Sequence, residues 1–461
     1  MAKPDERPEY QSRPEMASLQ SFPSFQTIGE RPKGPLEKAL SFFADVRAGE
    51  GLSVLALTLN VFLLLFAYYV LKTVREALIL SEGSAYIKSY SSAGQAALLM
   101  LVVPLYGWVG TKVNRIKLLA GLSLFFIMNL ILFWFFGIQG AHEGVLFYIW
   151  VGIFNVFVVS QFWAFATDLY TESQGKRLFP MIGVGASLGA WLGAQAASEL
   201  VKSFDLNPYQ LQLTGAAILA VATGLTIFVN SREKKQEAAE MIQHADKPLG
   251  AADGFALVFG SRYLLLIAAL TVLLNIVNSS GEFLLSSVVS DQAKAAFPTD
   301  PAAQKKFIGA FYGDFFAVVN LLGFLLQTFA VSRIFRFLGV QGSLYVLPLI
   351  ALGSYMTLAI APYLAIVRVA KTLENSTDYS LQNTVRQALF LPTSREAKYK
   401  AKAAIDTFFM RFGDLTQAGI VWLGAQAGLA FTGYAILNIG FTLIWLWIVS
   451  RLVKEHRRLA F

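Results

Sequence analysis

The sequence predicts an all-α polytopic membrane protein with twelve transmembrane helices, and three observations carry that class. First, of 461 residues 55% are hydrophobic and only 15% charged, with a mean hydropathy of +0.53. Soluble domains carry about 25% charged residues, so this composition cannot cover a water-facing fold and excludes a soluble enzyme. Second, apolar runs recur along the chain near the roughly 20 residues that a spanning helix needs. They are continuous, whereas a membrane β-barrel would alternate in polarity. Third, Lys and Arg are sorted into alternate loops, which is the positive-inside pattern of a membrane protein and not a DNA-binding face.

The chain opens on about fifty residues rich in Pro, Ser and mixed charge, read as a largely disordered cytoplasmic tail with a short amphipathic helix near Leu36–Val46. The start shows no secretory signal pattern, so the first apolar run is both anchor and first span. The spans of the first half are Leu52–Leu80, Tyr86–Trp108, Leu118–Gly137, Val145–Tyr170, Leu178–Val201 and Leu211–Asn230. A charged cytoplasmic interval over 231–253 separates them from Tyr263–Ser290, Phe307–Val331, Gly339–Ile360, Tyr363–Leu391, Ala403–Ala430 and Tyr434–Leu452. With the N-terminus inside, the inner loops and the C-terminal end hold 20 Lys and Arg against 4 in the outer loops, which places both termini in the cytoplasm. A bacterial inner membrane is the expected location.

The halves are related in pattern. Basic stretches Tyr106–Leu119 and Ala330–Leu344, read as loops, follow the second and eighth spans, and Thr/Ser/Glu/Lys-rich turns follow the fourth and tenth. Six-helix bundles at 51–230 and 254–461, related by a pseudo-twofold, are the plan of the major facilitator architecture, with substrate held at mid-membrane between them.

A charge at a helix centre costs perhaps 2.5 to 3.5 kcal/mol on insertion scales, so it usually faces an aqueous cavity. Candidate site residues are therefore the charged residues within spans. The first span ends with Lys72, Arg75 and Glu76, and Lys72 and Glu76 are spaced to pair on one face; the bland alternative is snorkelling at the interface. Lys88 begins the second span ahead of the polar run SYSSAGQ. In the tenth span Arg368, Lys371, Glu374 and Asp378 fall on a single helical face that Gln382 and Arg386 extend. They either lock the bundle or line a cavity for a charged solute. Asp406, Arg411 and Asp414 read as structural pairs, and Asp168 with Lys176 and Arg177 as a gate or loop pair. Gly185, Gly189 and Gly193 form a small-residue packing face, and the surrounding GVGASLG fits neither dinucleotide nor Walker spacing. Without Cys, and with His142, His244 and His456 confined to loops and tails, no metal and no cofactor is expected.

Several words in the chain carry a likeness. FWAFATDLYTESQGKRLFPMIGVGASLGAWLGA (Phe162 to Ala194), KAKAAIDTFFMRFGD (Lys400 to Asp414), IGAFYGDF (Ile308 to Phe315), DYSL (Asp378 to Leu381) and TVREALIL (Thr73 to Leu80) resemble the nucleotide (ATP:ADP) exchange translocases of plastids and intracellular bacteria. The resemblance implies a facilitator-like fold, counter-exchange of nucleotides by alternating access, and a phosphate-binding role for Lys88. The family's Lys-Tyr-Ser-Leu stands here as Asp378-Tyr379-Ser380-Leu381, its fourth-span acid falls near Val151, and its seventh-span Glu falls at Asn278, one turn before Glu282.

The sequence therefore predicts a secondary transporter of a nucleotide or other phosphorylated anion. Lys88, Arg368, Lys371 and Arg386 would hold phosphate, Glu374 and Asp378 would compete for those cations, and Tyr379 or Trp163 would stack on a base. Lys72, Arg75, Glu76, Asn278 and Glu282 are secondary candidates. Partners are the anionic substrate and the lipid bilayer, not nucleic acid. Two alternatives stay open: proton-coupled transport of another solute, and a non-transporting membrane scaffold or sensor.

Overall fold

The computed structural model describes residues 32–41, 44–110, 115–237, 252–394 and 396–459. The chain divides into a small compact unit through residue 52 and a large one from residue 53. The small unit holds α1 (Pro35–Leu40), which starts on a proline, where the absent N–H would have had no helical partner. It ends at Ser41, whose Oγ donates to the Glu37 carbonyl at 2.6 Å. The helix expected over Leu36–Val46 is thus confined to its first half. Most of the tail expected to be disordered lies outside the described residues.

From there the chain runs through α2 (Gly51–Glu82), α3 (Ala85–Gly110), α4 (Arg115–Gly137), α5 (Gly144–Leu169), α6 (Glu172–Lys202), α7 (Pro208–Glu237), α8 (Ala252–Gly260), α9 (Arg262–Ala296), α10 (Pro301–Leu325), α11 (Val331–Ser343), α12 (Val346–Ile360), α13 (Leu364–Thr377), α14 (Asn383–Ala388), α15 (Lys402–Ala404), α16 (Met410–Gln426) and α17 (Phe431–Leu459). No strand occurs among the described residues. Among the described residues, eight helices are long and apolar enough to cross a membrane, and each coincides with a span read from the sequence. The other four expected spans fall on α3, on the 15-residue α12, and on two segments interrupted by π turns, at Asp378–Gln382 and Ile405–Phe409.

Two expected loops differ. The basic stretch after the eighth span is helical: a π turn at Leu326–Ala330 leads into α11, which kinks at Gly339 with φ 63°. Arg333 and Arg336 are exposed while Ile334 and Phe335 pack on the core, so amphipathic spacing lets this basic segment stay helical. Of the charged interval after the sixth span, α7 continues to Glu237 and α8 begins at Ala252; 238–251 lie outside the described residues. The matching basic stretch of the first half is also partly outside them, at 111–114.

Two apolar cores form. One is built between Ala56 and Val229, around Phe126, Phe147, Trp150 and Phe154, whose rings meet at centroid distances of 5.1 to 5.7 Å. The other is drawn mainly from between Val258 and Val453. In lipid, burial itself drives little association between helices, and close backbone approach does more. The expected glycine face provides it. A Cβ on Gly185 would meet the Thr58 carbonyl oxygen at 2.6 Å and one on Gly193 the Phe66 carbonyl oxygen at 2.5 Å, with Gly189 set equally hard against Phe62. Glycines four apart on α6 thus ride on residues four apart on α2. The start of α6 is fixed by a capping box, in which Thr171 accepts from the Gln174 amide and the Gln174 side chain caps in return; reciprocal bonds of this kind satisfy two otherwise orphaned N–H groups.

Candidate functional site

Where α2, α3 and α5 of the first half face α9, α10 and α16 of the second, a cavity of about 150 Å³ opens. Lys72, Arg75, Glu76, Lys88, Asn278, Glu282 and Tyr379 all line it. The lining charge is held in an alternating chain. Arg75 donates to Glu76 Oε1 at 2.5 Å, and the other oxygen of Glu76 meets Lys88 Nζ at 2.7 Å. Lys88 in turn reaches across to the second half, donating to Ser286 Oγ at 2.7 Å and lying 4.0 Å from Glu282. Glu282 Oε1 lies 3.7 Å from Lys371 and accepts from Asn375 at 2.9 Å. Lys371 is fully buried behind the cavity, where it donates to Asn278 Oδ1 at 2.9 Å and pairs with Glu374 at 3.3 Å. Tyr355 closes the chain by donating to Glu374 at 2.8 Å.

Buried charges persist only when each finds a counter-charge or hydrogen bond, and this chain supplies both. The expected Lys72–Glu76 pair does not form, because Glu76 is taken by Arg75 and Lys88. Lys72 instead sits 4.1 Å from the Phe316 ring centroid and 5.1 Å from that of Tyr69.

The tenth-span ladder is also corrected. Its residues do not share one cavity-facing stripe. Lys371 and Glu374 turn into the second half's own core. Arg368 stacks over Phe311 at 5.5 Å. The π turn at Asp378–Gln382 resets the register, placing Tyr379 in the cavity lining while Asp378 and Arg386 stay out of it. A π turn adds a residue to the helical circuit, so the three-and-four spacing that predicts one face fails beyond it. Asp406 pairs with Lys402 at 2.8 Å and Arg411 with Asp414 at 3.5 Å, as structural pairs. Asp168 lies exposed at the end of α5 and Arg177 partly exposed at the start of α6, away from the cavity; the side chain of Lys176 lies outside the described residues. Trp163 meets Phe162 and Phe179 edge-on and does not line the cavity.

The cavity also takes uncharged residues that the sequence did not single out: Ser89, Ser92, Tyr148, Ser279, Phe316 and Gln417. The polar run after Lys88 was the available signal for the serines. For Gln417, which accepts from Ser89 at 2.9 Å across the two halves, no sequence signal existed. Further ion pairs join the halves. Lys202 pairs with Asp314 at 2.5 Å, Lys306 with Asp205 at 2.5 Å and Lys305 with Glu82 at 3.0 Å. A Cβ on Gly313 would fall 2.8 Å from Ser198 Cβ, so α6 and α10 touch backbone to backbone.

Membrane-length helices packed around a charged cavity give this chain the fold of solved membrane transporters. A solved nucleoside transporter, NupG, superposes with a TM-score of 0.61 at 16% identity, over 86% of this chain and 99% of its own. The TLC ATP/ADP transporter family model matches residues 132–456, and the chain belongs to that family of nucleotide-exchange transporters. Relatives include ADP,ATP carrier protein 1 of Chlamydia trachomatis, 22% identical over 91% of this chain and 92% of the relative. ADP,ATP carrier protein 4 of Rickettsia bellii is 24% identical over 70% of this chain and 69% of its own.

Proposed function

We propose that this protein exchanges nucleotides across a bacterial inner membrane by alternating access, with the central cavity as the substrate site. Its moving parts are six-helix bundles at 51–230 and 254–461, and both termini face the cytoplasm, as the distribution of Lys and Arg favours. The observation that carries the reading is the clustering of Lys72, Arg75 and Lys88, contributed by the first half, against Glu282 and Tyr379 of the second. The relatives' names, ADP,ATP carrier proteins, supply the substrate class. Phosphate oxygens would bond the cations, Arg75 offering a planar fork suited to them, and the exposed Tyr379 would lie against a base.

Binding and movement are linked through Lys88. Its Ser286 and Glu282 contacts span the halves, as do the Lys202–Asp314, Lys305–Glu82 and Lys306–Asp205 pairs. These connections lie at the end that the charge distribution assigns to the outside. The structure thus fits the stage of the cycle in which the outer side is closed. An anion bound on Lys88 competes with Glu282 and so loosens one link between the halves. Liposomes holding purified protein and internal ADP should take up labelled nucleotide from outside. Uptake should require the internal nucleotide; uptake driven instead by a pH gradient without counter-substrate would replace exchange by proton coupling, and no uptake across a nucleotide panel overturns the reading.

A further inference from the structure

At the end that the charge distribution assigns to the cytoplasm, two spans repeat one exposed pattern. Phe329 is followed four residues on by Arg333 and seven on by Arg336; in α17, Trp447 is followed at the same intervals by Arg451 and Lys454. Helical residues so spaced share a face, and all six are exposed. Contacts within each set agree: Arg333 donates to the Phe329 carbonyl, and the Arg451 guanidinium lies 5.3 Å from the centroid of the Trp447 ring. Gln341 ties the two segments together, its Oε1 accepting from Arg457 Nε at 2.9 Å and its Nε2 lying 3.4 Å from His456 Nδ1.

Charge on this surface is one-sided. Residues 329–343 carry no carboxylate and residues 447–458 only Glu455, which is taken by Arg458 at 3.2 Å and Arg262 at 3.4 Å. Arg333, Arg336, Arg451 and Lys454 have no carboxylate within ion-pair distance among the described residues. Topology needs positive charge somewhere in these segments, but it does not require the cations to follow an aromatic ring on one face, on two segments held together. An aromatic ring sits well at the level of lipid headgroups, and long basic side chains beyond it reach the phosphate layer. Ile334 and Phe335 of α11 pack on the core, whereas Phe337 is 81% exposed. One side of α11 therefore rests on protein and the other is left for lipid, as in an interfacial amphipathic helix.

We propose that α11 and the end of α17 form one docking surface for anionic phospholipid of the cytoplasmic leaflet. The lipid phosphates lie on Arg333, Arg336, Arg451 and Lys454, Arg offering a planar fork to phosphate oxygens, while Phe329, Phe337 and Trp447 sit at the top of the acyl chains. Each cation near an anionic lipid surface is worth about fivefold in affinity, so four of them separate an anionic lipid from a zwitterionic one of the same chains. None of these residues lines the central cavity, and lipid docking here is independent of the solute carried.

The test is thermal stabilisation of the purified full-length protein in neutral detergent, titrated with phosphatidylglycerol, with phosphatidylcholine of the same acyl chains, and with inorganic phosphate. Half-maximal stabilisation should need about tenfold less phosphatidylglycerol than phosphatidylcholine. The preference should collapse in about 1 M salt, where charges are screened beyond roughly 3 Å. Arg333→Gln, Arg336→Gln, Arg451→Gln and Lys454→Gln combined should bring the two lipids level, while any stabilisation by phosphate stays as in the wild type. Equal stabilisation of the wild type by the two lipids, or a preference that survives high salt, overturns the proposal even where the variant does not fold. A folded variant that keeps the preference overturns it by placing the lipid elsewhere. A phosphate effect lost together with the lipid preference makes a soluble anion the occupant and overturns it as well. Each of these results leaves nucleotide exchange standing.

Discussion

Glu76 is the residue on which most of the site's electrostatics converge, because it is 1% exposed and neutralises two cations at once. Glu76→Gln leaves Arg75 and Lys88 without their nearest counter-charge, and breaking a buried pair by removing one partner costs about 3 to 5 kcal/mol. The variant should therefore melt well below the wild type in the same detergent, where a purely surface ion pair would shift little. A second residue makes stability depend on pH. Glu143 stands at the N-cap position of α5 just outside the span, buried and accepting from Gln212 at 2.6 Å, while its other oxygen has no hydrogen-bond partner among the described residues. Burial pushes its carboxyl up to about 7, with nearby Glu82 adding to the effect. A raised carboxyl binds its proton more tightly in the folded state than in the unfolded one. Its contribution is thus present at acid pH and is lost as pH rises through about 7. Melting temperature measured from pH 5 to 8 should fall over that window, and Glu143→Gln should flatten the fall.

Among the elements, the α2–α6 contact depends on glycine for a purely spatial reason. Gly189→Leu would drive its side chain into the Phe62 backbone of α2, where no rotamer relieves the clash. Overpacking of a tight contact typically costs about 1 to 3 kcal/mol, and the helix pair should separate or the protein melt early. Gly183, on the same helix with nothing within 4 Å of a built Cβ, is the internal control. There Gly183→Ala should be neutral or stabilising by up to about 1 kcal/mol, since alanine is the better helix former. A destabilised Gly183→Ala alongside a tolerated Gly189→Leu would show that the two helices do not pack through this face. The π turns are elements of a different kind. The four among the described residues, at Leu326–Ala330, Asp378–Gln382, Ala397–Ala401 and Ile405–Phe409, lie in the second half, and one of them decides which tenth-segment side chain reaches the cavity.

For the whole molecule, alternating access requires the ion-paired end to part. The chain has no cysteine of its own, so Asp205→Cys with Lys306→Cys introduces one thiol on each half at a site where the native side chains touch. Joining them with a short disulfide-containing cross-linker should arrest nucleotide exchange in liposomes, and reduction should restore it; full exchange with the link in place would mean that these ends need not separate. Much of this architecture could be read from composition and run length, because lipid forces backbone groups into helices and selects long apolar segments. Eight spans coincide with membrane-length helices for that reason. Charged residues within the spans were equally visible, since each carries an energetic cost that only a polar cavity or a partner offsets. Which of the two applied was not visible. The sequence placed Lys371, Glu374 and Asp378 with Arg368 on one stripe and paired Lys72 with Glu76. The three-dimensional arrangement gave Glu76 to Arg75 and Lys88, buried Lys371 and Glu374 behind Asn278, and set Lys72 against the Tyr69 and Phe316 rings. Helical spacing reports which residues share a face of their own helix. Partners more than 190 residues apart, such as Lys88 and Ser286, are chosen only when the halves pack, and a single π turn is enough to move a side chain from one face to the next.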